Sequence, residues 1–360
     1  MKILLLRGNP RKDGVSQMLI NLFVKGASET GEVTDIDLTS KNIKPCIGCY
    51  HCWTTIPGCC VQQDDMKDLL EQFLLSDIVV LASPLYAFAV SSYCKIFQER
   101  TMPLLAPGVI QDLNKLERNN LRFPQRMPKK LAAIIVGGLK SPAHTDGAVT
   151  SLKLFADGFG IEFAGALIRT ESYIIQFTDT KPKTIKNMEN AFYQAGQTLA
   201  AEGVIPESLQ QKAALPLAPD ITYFQRYSNI YWDYSIQVNR RGGEFDEVRV
   251  LTNRDITLLM HEVARSIDPV AAKGIKAVFQ FEFTDVQKVF TIEVNRGISS
   301  IKEQAVKNPD IVIRCTSLIW VSIILRELDP IKPLTAGEIV LVGDKSLFRK
   351  LHRYFPPPNT

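Results

Sequence analysis

The segment MKILLLRGNPRKDGVSQ (residues 1–17) decides the fold of the first part of this chain. Its apolar run at residues 3–6 is typical of a strand buried on both faces of a parallel sheet. Gly8 and Gly14 permit a tight loop after that strand, and Ser16 can cap a following helix. A strand, a loop and a helix in this order predict the first β–α unit of a parallel sheet, whose helix amino end attracts a phosphate.

The same alternation of strand and helix patterns continues through roughly the first 200 residues. Short apolar runs alternate with segments of helical periodicity. The predicted strands are residues 3–6, 33–38, 78–82, 131–136 and a fifth near 161–168. The pattern predicts an α/β fold with a doubly wound, parallel, five-stranded sheet, in which ligands bind at the carboxyl ends of the strands.

The chain has 360 residues, which is long for one domain and favours two. Residues 204–224 are rich in Pro, Ala and Gln and are interpreted as a linker. Beyond them the runs AVFQFEFTD and KVFTIEVNRG alternate apolar and polar residues, as a β-hairpin does. We therefore predict a domain over residues 1–203 and a smaller α+β domain over residues 225–360.

Composition excludes several classes of partner. The net charge is only +4, and 46% of the residues are hydrophobic, which is ordinary for a globular protein and argues against nucleic acid as a partner. No run approaches the roughly 18 apolar residues of a membrane span, so no integral membrane segment is expected. The apolar run at residues 3–6 is too short for a signal peptide, and we expect a cytoplasmic protein.

Two further loops follow strands of the same predicted sheet. SPLYAFAVSS (residues 83–92) follows the third strand and contains Tyr86 and Phe88, which can stack on a planar ring. VGGLKSPAHTDG (residues 136–147) follows the fourth strand, and its two glycines permit close approach of a ligand. The loop after the first strand fits neither the G-x-G-x-x-G nor the Walker pattern, which argues against a dinucleotide or ATP there.

Five of the seven cysteines lie in CIGCYHCWTTIPGCC (residues 46–60). In a reducing cytosol such clustering favours metal binding or catalysis over disulfides. Cys46, Cys49 and Cys52 follow each other at two-residue intervals, and either Cys59 or Cys60 can supply a fourth thiolate, as in many 4Fe–4S sites. Structural zinc would need a second C-x-x-C pair, and none is present here.

On these loops, residues 1–200 resemble the flavodoxin-like NAD(P)H-dependent FMN reductase family. Its phosphate loop reads G-S-P-R-x-x-G-N followed by Ser or Thr, and its ring loop reads S-P-x-Y. The matching residues are Gly8, Pro10, Arg11, Gly14, Ser16, Ser83, Pro84 and Tyr86. Asn9 and Val15 depart from the family pattern.

The resemblance implies that FMN is the cofactor. The implied FMN-binding residues are Asn9, Arg11, Gly14, Ser16, Gln17, Ser83, Pro84, Leu85, Tyr86, Phe88, Gly137 and Gly138. It also implies assembly as a homo-oligomer, a dimer or a tetramer, and NAD(P)H or a ferredoxin as electron donor. No catalytic acid or base is assigned, because electron transfer requires none.

The cysteine segment resembles that of the iron–sulfur flavoproteins, a subset of this family. There the last ligand is the cysteine that begins C-V-x-x-D-D-M, a pattern that this chain matches at residues 60–66. This alignment selects Cys60 over Cys59 and implies a 4Fe–4S cluster on four ligands. The implied ligands are Cys46, Cys49, Cys52 and Cys60. Other family members keep part of the motif without a cluster.

The segment LTAGEIVLVGDKSLFRKLHRYF (residues 334–355) resembles the end of the sterol carrier protein 2 domain. The matching residues are Thr335, Gly337, Gly343 and Asp344. This resemblance implies an apolar tunnel for a lipid-like ligand in residues 225–360. The candidate lining residues are Leu318, Trp320, Val321 and Ile324, which are also explained as plain core.

Three functions follow from these features. The first is an FMN and iron–sulfur oxidoreductase whose second domain binds an apolar molecule. The second is a cluster-free NAD(P)H-dependent FMN or quinone reductase. The third is a lipid-responsive flavin-binding protein without catalytic turnover.

Overall fold

The computed structural model describes residues 1–111, 117–177 and 183–356. Within these ranges, residues 1–176 and 183–224 form one compact unit, and residues 225–356 form the body of a second. None of the described helices is both long and apolar enough to cross a membrane.

The first unit is built on a parallel sheet. Its strands are β1 (Lys2–Arg7), β2 (Glu32–Asp37), β3 (Ile78–Tyr86), β4 (Ala89–Val90), β5 (Leu105–Gln111), β6 (Glu117–Leu121), β7 (Lys130–Val136) and β8 (Glu162–Arg169). Five of them run parallel in the order β2-β1-β3-β7-β8, with β4 added antiparallel to β3. The predicted five-stranded sheet is confirmed, and its strand order is that of flavodoxin-like folds. The pair β5–β6 forms a separate antiparallel hairpin that the sequence did not predict.

Helices cover both faces of this sheet. They are α1 (Val15–Ala27), α2 (Met66–Leu75), α3 (Ser92–Glu99), α4 (Asp146–Gly158), α5 (Ser172–Phe177), α6 (Lys183–Glu202) and α7 (Glu207–Ala213). Successive side chains of a strand point to opposite faces, so Leu5 packs with α1 and α6 whereas Leu4 packs with α2 and α4. Burial on both faces explains why the strands are continuous apolar runs.

Helix α7 lies inside the stretch that was expected to be a linker, residues 204–224. Its residues Leu209 and Ala213 are buried in the core beside α6 and β8. Ala- and Gln-rich sequence is compatible with a helix, and these two apolar side chains give that helix a face to bury. This part of the stretch is therefore packed structure within the first unit.

The second unit is an α+β structure. Its elements are α8 (Ile221–Arg240), α9 (Phe245–Asn253), α10 (Ile256–Arg265), β9 (Lys276–Phe283), β10 (Lys288–Asn295), β11 (Ile298–Lys302), β12 (Ile311–Cys315), α11 (Ser317–Ile324), α12 (Ile331–Thr335), β13 (Val340–Gly343), α13 (Lys345–Arg349) and α14 (Leu351–Tyr354). The sheet order is β11-β10-β9-β12-β13, and the predicted hairpin is β9–β10.

One face of this sheet packs against an apolar core. Phe279 and Phe281 of β9 are fully buried and belong to a core that includes residues of α10 and α11. Among the candidate tunnel residues, Trp320 and Val321 are buried in that core, whereas Leu318 is 72% exposed. The helix thus presents part of the candidate lining to the core and part to solvent.

Candidate flavin and metal site

The three predicted ligand loops meet at the carboxyl edge of the parallel sheet. The Gly8 amide, after β1, donates to the carbonyl of Ala82 on β3 at 2.8 Å. The Gly137 amide, after β7, donates to the carbonyl of Arg169 on β8 at 2.8 Å. These bonds extend the sheet beyond its strands, so the loops begin from a rigid base at the edge where parallel sheets bind ligands.

The amino end of α1 is open to an anion. Gly14 occupies the N-cap position, which therefore has no side-chain acceptor, and the first turn contains no acidic residue. The first backbone amides of α1 can therefore donate hydrogen bonds to a ligand, and the helix dipole favours a ligand with negative charge. Arg11 is exposed and has no ion-pair partner among the described residues, so its charge is available at this end.

The second basic residue of this loop is occupied by the protein itself. Lys12 is paired with Asp37 at the end of β2 and donates to the Thr39 hydroxyl at 2.9 Å. Burial alone would raise the pKa of Asp37, but hydrogen bonds from Lys12 and Thr39 lower it below its ordinary value. The Lys12 charge is therefore already compensated, unlike that of Arg11.

Asn9 and Gln17 hold the loop from within. Asn9 is 2% exposed, and its amide nitrogen donates to the Arg11 carbonyl at 3.1 Å and to Gln17 Oε1 at 3.0 Å. Gln17 Oε1 also accepts from Arg7 at 2.7 Å. Both donors of Asn9 are used, whereas its Oδ1 is buried without a partner. A ligand hydroxyl, such as those of the ribityl chain of FMN, would satisfy this oxygen.

The strand β3 continues to Tyr86, so Ser83 and Pro84, which were expected in the following loop, are buried residues near its carboxyl end. The Ser83 hydroxyl accepts from the Ser91 amide at 2.8 Å, which ties the two ends of the loop together. Pro84 is paired with Val136 of β7. The last residue pair between β1 and β3 is Arg7 with Ala82, so Pro84 lies beyond the end of β1. Its missing amide hydrogen therefore removes no hydrogen bond between β1 and β3. Ser83 and Pro84 thus shape the loop.

The tip of this loop presents two exposed aromatic rings. Tyr86 and Phe88 are 46% and 57% exposed. Ala87 and Phe88 form the two-residue turn between β3 and β4 and have φ angles of 46° and 63°. Left-handed backbone costs energy in residues other than glycine and often marks functional sites. The Phe88 ring lies 5.3 Å from that of His144, in the loop after β7.

The two glycines of the third loop are closely packed by protein groups. A Cβ atom on Gly137 would lie 3.3 Å from Leu85, and one on Gly138 would lie 2.5 Å from the ring of Tyr173. Leu85 therefore faces the loop after β7, and Tyr173 occupies the space beside Gly138. Sequence reasoning missed Tyr173, because no pattern in the chain links it to this glycine.

The cysteine segment surrounds a cavity of about 310 Å³. Four cysteines line it together with Arg100, and Cys59 is not in its lining. The four lining cysteines are Cys46, Cys49, Cys52 and Cys60. Cys52 is buried, whereas Cys46, Cys49 and Cys59 are exposed. The set selected by the sequence alignment is thus the set that shares one cavity.

Cys52 lies close enough to the other three lining cysteines to interact with them electrostatically. The pKa of Cys52 is raised, chiefly by burial and then by the nearby charges of Cys60, Cys46 and Cys49. Crowded thiolates repel one another, so a cationic centre would stabilise them together. In the described part of the chain, however, no three His, Cys, Asp or Glu side chains are placed to hold one metal ion.

Arg100 is the residue of this site that sequence reasoning missed. It follows α3, is 2% exposed, and donates to Cys60 Sγ at 3.4 Å. The same guanidinium forms a two-point ion pair with Asp64, at 2.6 Å and 3.0 Å. A lone arginine in a helical pattern is normally a solvated residue, and only the fold brings it to the cysteine segment.

Comparison with known proteins agrees with this fold and these loops. A family model described as NADPH-dependent FMN reductase matches residues 1–159. An iron–sulfur flavoprotein of Archaeoglobus fulgidus is 38% identical over 104 residues, which cover 29% of this chain and 46% of that protein. One from Methanocaldococcus jannaschii is 33% identical over 105 residues, which cover 29% of this chain and 53% of that protein.

Another iron–sulfur flavoprotein of Archaeoglobus fulgidus is 30% identical over 159 residues, which cover 44% of this chain and 69% of that protein. The fold and its loops are thus similar to those of the FMN reductases that the matching family model describes. Within that class, the chain belongs to the family of iron–sulfur flavoproteins. It spans about half the length of the first two relatives that it matches.

The second unit matches a different kind of family model. The model described as alkyl sulfatase C-terminal covers residues 246–360. This is not the sterol carrier protein 2 domain that the motifs at residues 334–355 resemble. The sterol-carrier resemblance is therefore not shown by the comparison and stays a prediction.

Proposed function

We propose that this protein is an FMN-dependent electron-transfer oxidoreductase with a 4Fe–4S cluster. The observation that supports the cluster best is that four cysteines, without Cys59, share one cavity. The proposed ligands are Cys46, Cys49, Cys52 and Cys60. FMN would accept a two-electron hydride and release electrons singly, and a cluster would pass them on one at a time.

The FMN phosphate is assigned to the amino end of α1, near Gly14 and Ser16, with Arg11 as its charged partner. The buried Oδ1 of Asn9 suits a hydroxyl of the ribityl chain. Tyr86 and Phe88 offer exposed rings that can stack on the isoalloxazine. The other residues that we propose for the FMN site are Gln17, Ser83, Pro84, Leu85, Gly137 and Gly138.

The electron donor is proposed to be NAD(P)H, as the description of the matching family suggests, or a ferredoxin. We further propose a cytoplasmic location, a homodimeric or homotetrameric assembly, and domains over residues 1–203 and 225–360. The second domain is proposed to be sterol-carrier-like and to bind an apolar, lipid-like ligand. Lipid extraction and mass spectrometry of the purified protein test that part, and the absence of any co-purifying or exchangeable apolar ligand would contradict it.

Anaerobic purification and reconstitution with iron and sulfide test the cluster. We expect bound flavin and about four irons per chain. Cys60→Ser should lose the iron, whereas Cys59→Ser should keep it. Since the two cysteines are adjacent in sequence, Cys59→Ser is a matched control for local damage. Reversal of these two results would move the fourth ligand to Cys59.

A cluster-free NAD(P)H-dependent FMN or quinone reductase is the second candidate. It is favoured by the finding that no three side chains of the described residues are placed to hold one metal ion. This function predicts flavin reduction by NADH or NADPH with iron near zero after reconstitution. A protein that binds flavin but is reduced by neither nucleotide nor by reduced ferredoxin would instead be a lipid-responsive flavin-binding protein without turnover.

A further inference from the structure

Arg100 contacts both the sulfur and the backbone of the cysteine segment. Its Nη2 donates to Cys60 Sγ at 3.4 Å, and its Nη1 donates to the Lys44 carbonyl at 2.6 Å. Lys44 lies just before the segment and Cys60 is its last residue, so one guanidinium contacts the chain at both ends of the segment. The guanidinium itself is fixed by Asp64, and both side chains of this pair are almost fully buried.

The carboxylate of Asp64 accepts hydrogen bonds from two backbone amides as well as from Arg100. One carboxylate oxygen accepts from the Lys44 amide at 3.0 Å, and the other accepts from the Met66 amide at 3.1 Å. The carboxylate is therefore bonded on both oxygens, and the guanidinium Nη2 donates to both Asp64 Oδ1 and Cys60 Sγ. In a buried site, such a donor stabilises negative charge on sulfur strongly.

We infer that Arg100 is a positioning residue for the metal centre: it holds Cys60 in the ligating position and raises the reduction potential of the bound cluster. This inference rests on the proposed 4Fe–4S function. Reduction adds one negative charge to a cluster and its thiolates, and a cationic donor to a ligand sulfur stabilises the reduced state more than the oxidised state. The hydrogen bond also limits the rotation of the Cys60 side chain, which keeps its thiolate facing the cavity.

The test compares cluster content and midpoint potential in reconstituted variants of the full chain. Arg100→Gln alone leaves Asp64 as a buried unpaired charge, so the informative variant is the double substitution Arg100→Gln with Asp64→Asn. Arg100→Lys keeps the charge but loses the two-point geometry. Arg126→Gln is the control, because Arg126 pairs with Glu71 on the exposed surface and does not line the cavity.

We expect the double variant to show a more negative midpoint potential in an anaerobic redox titration followed by electron paramagnetic resonance. Arg100→Lys should lie between it and the wild type, and Arg126→Gln should match the wild type. Iron loss in the double variant, with circular dichroism unchanged, would also support the positioning role. Full iron content with an unchanged potential in both Arg100 variants would overturn the inference. A wild-type chain without iron would instead refute the proposed cluster itself.

Discussion

Arg100 and Asp64 form a two-point ion pair whose side chains are only 1% and 0% exposed. The two nitrogen–oxygen distances are 2.6 Å and 3.0 Å. Burial alone would raise the pKa of Asp64, but hydrogen bonds from Arg100 and from the amides of Lys44 and Met66 lower it. The pair joins the end of α3 to the start of α2 and so closes the cysteine segment.

Loss of this carboxylate charge should destabilise the fold far more than loss of a similar charge at the surface. Asp64→Asn leaves a buried, uncompensated guanidinium, and we expect the free energy of unfolding to fall by about 3–5 kcal/mol. The control is Glu327→Gln, which breaks the two-point pair with Arg254, at 2.7 Å for each contact but with side chains 46% and 37% exposed. That change should cost less than about 1 kcal/mol. Urea denaturation measures the free energy of unfolding of both variants. Equal losses would show that burial of the ion pair does not determine the cost of removing the carboxylate charge.

Arg11 should contribute to flavin affinity through charge. Arg11→Gln removes the uncompensated cation at the amino end of α1, and we expect FMN affinity to fall roughly tenfold or more. Lys25→Gln removes the same charge near the other end of the helix and should leave affinity unchanged. Quenching of flavin fluorescence during titration of the apoprotein measures both values. A similar loss in the two variants would assign the effect to net charge instead of position.

Two substitutions in the turn between β3 and β4 separate the effect of backbone strain on stability from the effect of ring stacking on FMN affinity. Both Ala87 and Phe88 adopt positive φ, so a glycine at either position relieves about 1–2 kcal/mol of strain. Only Phe88→Gly also removes an exposed ring. We therefore expect Ala87→Gly to stabilise the fold and keep FMN affinity, whereas Phe88→Gly weakens FMN binding. Equal affinity in both variants would remove Phe88 from the flavin site.

The sheet and its ligand edge could be predicted because the information is local. The run at residues 3–6 is apolar on both faces, and glycines and prolines mark the loops that follow the strands. The choice of Cys60 as a ligand came from the family resemblance of the residues that follow it and stays a prediction. The structure places that thiol, and not Cys59, at the cavity.

Contacts between distant parts of the chain could not be predicted. Arg100 reaches Cys60 over 40 positions, and no periodic pattern encodes that contact. Asn9 and Gln17 were expected to bind the cofactor, which stays a prediction, but the hydrogen bond of 3.0 Å between their own side-chain amides was not foreseen. Leu209 and Ala213 stand in a stretch with the composition of a linker, and only packing against α6 and β8 shows them to be core.

His261 should make the stability of the second unit depend on pH. It is 8% exposed and lies 3.1 Å from Glu303, and burial, aided by Arg226 and Arg265, lowers its pKa below 6.5 in spite of that carboxylate. As the pH falls below about 6.5, the unfolded chain therefore binds a proton before the folded chain does. Stability from this group is fully present above that pH and is lost on acidification.

Urea denaturation at pH 7.5 and at pH 5.5 checks this expectation. The wild type should lose stability between the two values, and His261→Gln should lose less, because its side chain does not titrate. Other groups contribute equally to both proteins, so the difference between them isolates the histidine. An identical loss in the two proteins would mean that His261 becomes protonated within the fold without cost.

The contact between α1 and α6 depends on two glycines at which the helix backbones touch. A Cβ atom on Gly26 would lie 2.0 Å from the Tyr193 carbonyl oxygen, and one on Gly196 would lie 2.1 Å from that of Phe23. Both obstacles are backbone atoms, so no side-chain rotation relieves them and the helices must separate. Overpacking of this kind typically costs about 1–3 kcal/mol.

Gly26→Ala and Gly196→Ala should therefore each lower the midpoint of thermal unfolding. The matched control is Gly158→Ala at the end of α4, where a Cβ atom would meet nothing within 4 Å. Alanine is the better helix former, so this change should leave stability equal or raise it by up to about 1 kcal/mol. If Gly26→Ala behaved like Gly158→Ala, the two helices would be free to separate without loss of packing. If all three variants were equally destabilised, helix propensity and close approach would both be excluded as the cause.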